Sequence, residues 1–150
     1  MSRLVRVAGD SMSPTHRSSD LLLARPVGRA GVQRGDVAVF RHDGLRMLKR
    51  VVGLPGDLVG LEAGRLSVNW QPADGRPGVR GAYAQTWRVP PGSYFVAGDN
   101  PAVSDDSRVW DEPFVSAEHI DVVVVRRLAA PRRPRCLRPR RPAPASGRAR

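Results

Sequence analysis

The sequence predicts a single domain of mostly β structure, built from antiparallel strands, followed by a disordered tail. The length of 150 residues fits one hydrophobic core. Short apolar runs alternate with Gly, Pro and Asp turn signals along most of the chain. The last part is rich in proline and arginine and nearly free of apolar residues, so it cannot bury enough surface to fold. We therefore place the domain at residues 1–130 and the tail at residues 131–150.

Apolar runs and turn signals predict the elements in chain order. Val37–Phe40 and Leu45–Val52 flank a turn and form a hairpin, and Leu58–Glu62 and Arg65–Asn69 form a second hairpin. The other expected elements are strands at Leu4–Val7 and Asp20–Ala24, a loop at Gln71–Ala82, strands at Tyr83–Val89 and Tyr94–Ala97, a helical turn capped by Ser116 and ending at His119, and a strand at Asp121–Leu128.

The stretch VAGDSMSPT, at Val7–Thr15, carries the first candidate functional residue. Ser11 follows Gly9-Asp10 on a turn, and Pro14 stiffens the chain three residues later. The glycine removes a side chain beside the serine and leaves open backbone next to its hydroxyl. Most Gly-Asp-Ser turns are only turns, and Asp10 is interpreted as a turn residue rather than as a catalytic acid.

The basic residues supply the second candidate. The chain has 25 lysines and arginines, and Lys49 is its one lysine. Arginine stays charged in proteins, whereas a desolvated lysine can lose its proton. A neutral lysine amine is one of the bases that can activate a serine, so Lys49 is the candidate partner of Ser11. The alternative is one surface lysine retained by chance.

A third stretch, GDNPAVSDDSRVW at Gly98–Trp110, follows an apolar strand and predicts a hydrogen-bonded loop. Together with VAGDSMSPT and with LKRVVGLPGD at Leu48–Asp57, it resembles the signal peptidase I family, in which these blocks occur in the same order. The resemblance extends from about Val5 to Leu128. It implies the antiparallel β fold of signal peptidases for the domain.

The resemblance also implies a role for each matching residue. Ser11 matches the nucleophile, with its backbone N–H in the oxyanion hole, and Lys49 matches the general base. Ser104 matches the serine that orients the lysine amine, while Asp106 and Arg108 match a pair that braces the site. Some members have a serine hydroxyl in the oxyanion hole two positions before the nucleophile. This chain has glycine there, so a backbone group or water must supply that donor.

The predicted function is that of a serine endopeptidase that cleaves signal peptides or propeptides after small residues. It implies no cofactor and no metal, a precursor protein as partner, and no specific nucleic acid. One alternative is a soluble maturation protease of the same family, of the nickel-type superoxide dismutase maturation type. The long insert Gly53–Val89 and the DSR loop favour the signal peptidase type. The others are a self-cleaving repressor, disfavoured because only ten residues precede Ser11, and a non-catalytic lipid- or nucleic-acid-binding module.

Competing sites are disfavoured. A Ser-His-Asp triad depends on geometry that the sequence does not supply, and the histidines lack metal-ligand spacing; they are His16, His42 and His119. The tryptophans are interpreted as core or loop anchors rather than as a platform for stacking bases; they are Trp70, Trp87 and Trp110. Cys136 is the one cysteine, so an intrachain disulfide is excluded.

Membrane association is implied by the resemblance, because bacterial signal peptidases usually carry N-terminal transmembrane helices. No apolar run here approaches the ~18–20 residues that a span needs, and no signal peptide is visible, so a soluble cytoplasmic location is the alternative. The net charge is +11, and residues 131–150 hold eight arginines and no acidic residue. This tail is a candidate tether to an anionic membrane surface; the alternative is a solubilising extension.

Overall fold

The computed structural model describes residues 1–73 and 85–128. Its regular structure in these ranges consists of strands and a single turn of 3-10 helix at Ala117–His119. In chain order the strands are β1 (Arg3–Arg6), β2 (Leu21–Arg25), β3 (Val37–His42), β4 (Leu45–Gly53), β5 (Leu58–Glu62), β6 (Arg65–Val68), β7 (Gln71–Pro72), β8 (Gln85–Arg88), β9 (Ser93–Ala97), β10 (Val115–Ser116) and β11 (Ile120–Arg127).

The strands form two antiparallel sheets. The large sheet has the order β1-β2-β11-β3-β4-β9-β10, and the small sheet has the order β7-β6-β5-β8. The predicted hairpin of β3 and β4 is present, and its register places Ala38 opposite Lys49. β9 pairs with β4 only from Arg50 onward, so the first half of β4 is bonded to β3 but not to β9. The predicted mostly antiparallel β fold is confirmed.

The core has three parts. Two of them exist because the large sheet is apolar on both faces, and the third lies between the two sheets. Successive residues of a strand point to opposite faces, so Phe40 packs in one cluster with Val51 and Val96 while Val39 packs in another with Val122. Lys49 lies on the same face of β4 as Val51, two residues away. The third cluster joins the two sheets; it contains Val52, Val59, Val68, Val89, Phe95 and Ala97.

The GLPGD segment fixes the junction between the sheets. A side chain at Gly53 has no room, because an added Cβ would lie 2.7 Å from Val59 Cγ2 and 3.1 Å from Phe95 Cβ. The buried Asp57 carboxylate accepts hydrogen bonds from the Leu54 N–H, the Arg34 guanidinium and the Asn69 side-chain amide. These contacts fix the direction in which the chain leaves β4 and enters the small sheet. The C-terminal end of β4, the strand that carries Lys49, is therefore held in place.

Two local predictions were wrong. Gln71–Pro72 lies in the expected loop but pairs with β6 as a short strand. Ser116 precedes the 3-10 helix as expected, yet its hydroxyl makes no capping hydrogen bond, and the residue pairs with Ser93 instead. Strands β7 and β10 each have two residues, too few to produce a periodic pattern. Trp70, interpreted as a core or loop anchor, is 66% exposed and lies in the turn after β6. The predicted tail at 131–150 lies outside the described residues.

Candidate active site

Ser11 lies on a tight turn directly after β1. Gly9 has a φ of 77°, a left-handed conformation that glycine adopts without steric cost. The Ser13 N–H donates to the Asp10 carbonyl at 3.1 Å, and the His16 N–H donates to the Met12 carbonyl at 2.9 Å. Met12 is buried and anchors the turn in the protein, whereas Ser11 is partly exposed. The turn thus holds a hydroxyl at the surface on a fixed backbone.

The carbonyl groups of the turn are bonded to the loop after β9. The Asn100 N–H donates to the Ser11 carbonyl at 2.9 Å, and the Asn100 side-chain amide donates to the Asp10 carbonyl at 3.2 Å. In the described part of the chain, the Ser11 N–H has no backbone partner. This amide can therefore donate to another acceptor, while the carbonyl group of the same residue is held in place.

Lys49 is a buried lysine that lines the same cleft as Ser11. The cleft has a volume of about 240 Å³, and Val7, Ala8 and Met47 form part of its wall. Lys49 is only 4% exposed. Burial lowers the pKa of its amine below the ordinary value, although the Asp106 and Asp105 carboxylates act in the opposite direction. The cleft therefore combines a hydroxyl with an amine that loses its proton more readily than a solvated lysine does.

Asp106 organises the loop that follows β9. Its carboxylate is fully buried and accepts hydrogen bonds from the Gly98 N–H at 2.8 Å, the Ser104 hydroxyl, and the Arg108 guanidinium and N–H. Burial alone would raise the pKa of Asp106, but the Arg108 ion pair and these hydrogen bonds hold it below its usual value. The loop therefore carries a buried, compensated negative charge close enough to influence Lys49.

Ser104 is placed between this carboxylate and the turn that carries Ser11, called the Ser11 turn below. Its hydroxyl donates to Asp106, and both its Cβ and its Oγ lie where a side chain at position 98 would be. An added Cβ on Gly98 would also lie 2.6 Å from the Ser11 carbonyl oxygen. Gly98 thus permits close approach of the loop and the turn, which brings Ser104 near Ser11.

Sequence reasoning missed the ion pair that supports this arrangement. Arg50 donates to both oxygens of Asp99, at 2.8 and 2.7 Å, and Thr15 also bonds to Asp99. The pair joins β4, the loop after β9 and the Ser11 turn. Arg50 and Asp99 lie inside the LKR and GDN blocks, but no short-range signal links positions 49 residues apart.

The histidines occupy other places. His16 is buried next to the Ser11 turn. Its pKa is lowered mainly by burial and to a smaller extent by the positive charge of nearby Arg50. His42 stacks on Trp110 with 3.7 Å between ring centroids, and His119 lies in the 3-10 helix. In the described ranges none of them lines the cleft with Ser11. The same residues contain no group of three His, Cys, Asp or Glu side chains that could hold a metal ion.

Residues 1–73 and 85–128 include no helix with both the length and the apolar character that a membrane span requires.

The chain is similar to proteins of one known family. The profile of the family described as "Signal peptidase, peptidase S26" matches residues 1–128. The chain is 33% identical over 125 residues to a signal peptidase I of Pseudomonas fluorescens, and the match covers 61% of this chain and 44% of that protein. It is 33% identical over 118 residues to the signal peptidase I S of Bacillus subtilis, covering 68% and 64%.

A crystal structure of a signal peptidase I from Enterococcus faecalis V583 is also similar. It matches with a TM-score of 0.49 and 30% identity, over 63% of this chain and 97% of the crystallised one. The chain spans less than two thirds of the length of the two curated relatives, at 44% and 64%.

Proposed function

Because this chain belongs to the peptidase S26 family of signal peptidases, we propose that it is a serine endopeptidase that cleaves signal peptides from precursor proteins with a Ser11–Lys49 dyad. One observation carries the proposal. A partly exposed serine and a buried lysine with a lowered pKa line the same cleft. A neutral amine in that position can act as a base, which an arginine cannot do.

The reaction begins with the neutral Lys49 amine as general base. It accepts the Ser11 hydroxyl proton while Oγ bonds to the scissile carbonyl carbon, and the Ser11 N–H donates to the developing oxyanion. The lysine ammonium then gives the proton to the leaving amine as the peptide bond breaks, which leaves an acyl-enzyme. The same amine then takes a proton from water as the water oxygen attacks the ester carbon. The bond between Ser11 Oγ and the acyl carbon breaks, the ammonium returns the proton to Oγ, and the new carboxyl end is released.

The loop residues have supporting roles. Ser104 orients the lysine amine, since its hydroxyl oxygen can accept a hydrogen bond while its proton goes to Asp106. Asp106 and Arg108 brace the loop and balance each other's charge in a buried position. The second oxyanion donor is a backbone N–H or a water molecule, because Gly9 has no side chain to offer.

The substrate binds as an extended strand. The first half of β4 is bonded to β3 but not to β9, so one edge of its backbone faces the cleft. A peptide can add to such an edge by main-chain pairing. The small size of the cleft, about 240 Å³, suits the small residues that the family accepts before the scissile bond.

The membrane is the proposed location of the substrate. Signal-peptide-bearing precursors are membrane-directed, and the arginine-rich segment 131–150 supplies positive charge that attracts anionic lipid. This segment would then add to membrane association without contributing to the chemistry.

The test uses the full chain and a neutral peptide with an Ala-x-Ala sequence before the scissile bond. Ser11→Ala, Lys49→Arg and Lys49→Met should each lower kcat by at least 1000-fold, on the scale seen when a triad member is removed. Ser18→Ala, an exposed serine seven residues away, is the matched control and should keep wild-type rates. Unchanged cleavage by folded Ser11→Ala or Lys49→Arg protein would refute the dyad.

A further inference from the structure

Arg46 lies on the wall of the cleft and is not used by the proposed chemistry. It belongs to the half of β4 that is not bonded to β9, and it lines the cleft together with Ser11 and Lys49. It precedes Lys49 by three residues, which is about 10 Å along a strand. Its side chain is 55% exposed. Because successive residues of a strand alternate between faces, the Arg46 side chain lies on the face of β4 opposite to that of Lys49, at the edge of the cleft.

The charge of this group is only partly balanced. Arg46 stands directly opposite Arg41 across the β3–β4 ladder. Both guanidinium groups approach the same carboxylate oxygen of Asp121, at 3.6 Å from Arg46 and 3.9 Å from Arg41. Neither distance is short enough for a hydrogen bond. Two cations share one anion, so this group of three side chains carries an excess of one positive charge, and Arg46 keeps unused N–H donors beside the cleft.

We propose that Arg46 is a specificity-determining residue that selects substrates with an acidic side chain about three residues from the scissile bond. The inference rests on the proposed protease function. A peptide paired with β4 would place one of its side chains beside Arg46 when its scissile bond lies beside Lys49. A planar guanidinium binds a carboxylate through two parallel hydrogen bonds, and the existing contact with Asp121 is too long to compete on equal terms.

The selectivity should be moderate, because the pair is partly exposed. Half-exposed ion pairs of this kind change an equilibrium by about two- to fivefold, and salt weakens them. A lysine at the same substrate position should be disfavoured by a similar factor, since it adds a third cation beside Arg41 and Arg46.

The test is a set of peptides derived from one neutral peptide that the wild-type chain cleaves. Glu, Gln or Lys is placed singly at each of four positions on either side of the scissile bond, and kcat/KM is measured at low and high salt. At one position about three residues from the bond, Glu should exceed Gln by two- to fivefold, and Lys should be the poorest. The difference should shrink at high salt.

Three variants assign this preference. Arg46→Gln should remove it, and Arg46→Glu should reverse it so that Lys is preferred over Glu at the same position. Arg41→Gln is the matched control, since Arg41 contacts the same Asp121 but does not line the cleft, and it should retain the preference for Glu.

The outcomes separate the two proposals. If the neutral peptide is cleaved in a Ser11-dependent way but Glu and Gln are equal at every position, the protease function stands and the role of Arg46 is overturned. A preference that persists in folded Arg46→Glu protein overturns it as well. If no peptide is cleaved, both proposals fail.

Discussion

The amine of Lys49 should set the pH dependence of the reaction. Burial holds its pKa below the ordinary value, so the base becomes available at lower pH than for a solvated lysine. Below this pKa, kcat/KM should rise about tenfold per pH unit as the neutral fraction grows, and it should level off above it. A profile between pH 6 and 10, with the melting temperature recorded at each point, measures this.

The same lowered pKa has a consequence for stability. The unfolded chain binds the lysine proton more tightly than the folded chain, so unfolding free energy should rise with pH between the lowered and the ordinary pKa. Lys49→Met should lack this rise and serves as the control.

A catalytic rate that falls steadily from pH 6 to 9 with the fold intact would contradict a lysine base.

Replacement of Ser104 should mainly lower kcat, whereas replacement of Asp106 should mainly lower stability. Ser104→Ala removes the proposed neutral hydrogen bond to the Lys49 amine, worth about 0.5–1.5 kcal/mol, so kcat should fall about three- to tenfold with little change in KM. It also removes the hydroxyl that donates to Asp106, so a smaller loss of stability should accompany the loss of rate. Asp106→Asn leaves the partly buried Arg108 guanidinium without its carboxylate, which should cost roughly 3–5 kcal/mol of stability. Steady-state kinetics and thermal melts on both variants test this division. Full kcat in Ser104→Ala would show that packing alone positions the amine.

At the level of the secondary-structure elements, alanine substitutions at two crowded glycines should affect different properties, one the catalytic rate and the other the stability of the fold. An alanine at Gly98 would push against Ser104 and the Ser11 carbonyl, where a shift of 1 Å can cost about 100-fold in rate. An alanine at Gly53 would press on Val59 and Phe95, which should cost about 1–3 kcal/mol of stability but leave kcat of the folded protein unchanged. Equal kcat values for both variants would contradict the close approach of loop and turn.

Local sequence patterns predict the strands and hairpins but not the contacts between distant residues. The hairpin carrying Lys49 could be predicted because apolar runs flank a turn signal within a few residues. The bonds that assemble the site join distant positions, and the bond from Asn100 to Asp10 spans 90 residues. Arg50 and Asp99 are unremarkable in the sequence for the same reason. Ser11 and Lys49 were candidates from a turn motif and from the single lysine, whereas the role proposed for Ser104 rests on the family resemblance, which supplies long-range relations that periodicity lacks.

For the whole molecule, membrane binding through the positive charge of residues 131–150 should be separable from peptide cleavage. Removal of residues 131–150 deletes eight arginines, each worth about 1 kcal/mol near an anionic surface. Peptide cleavage should be unchanged, whereas binding to phosphatidylglycerol vesicles should weaken, most strongly at low salt. Vesicle sedimentation and a peptide assay on the same preparation measure both. Loss of peptide cleavage would show that the domain extends beyond residue 130.

A further consequence follows from Lys49 being the one lysine of the chain. Apart from the α-amino group, an amine-directed reagent has a single target, and that target is the proposed base. Reductive methylation with carbon-13 formaldehyde would thus place one isotope label inside the cleft without mutagenesis. The chemical shift of that methyl resonance follows the protonation of the amine directly, so a single NMR titration would read out the state of the site while a substrate peptide is added.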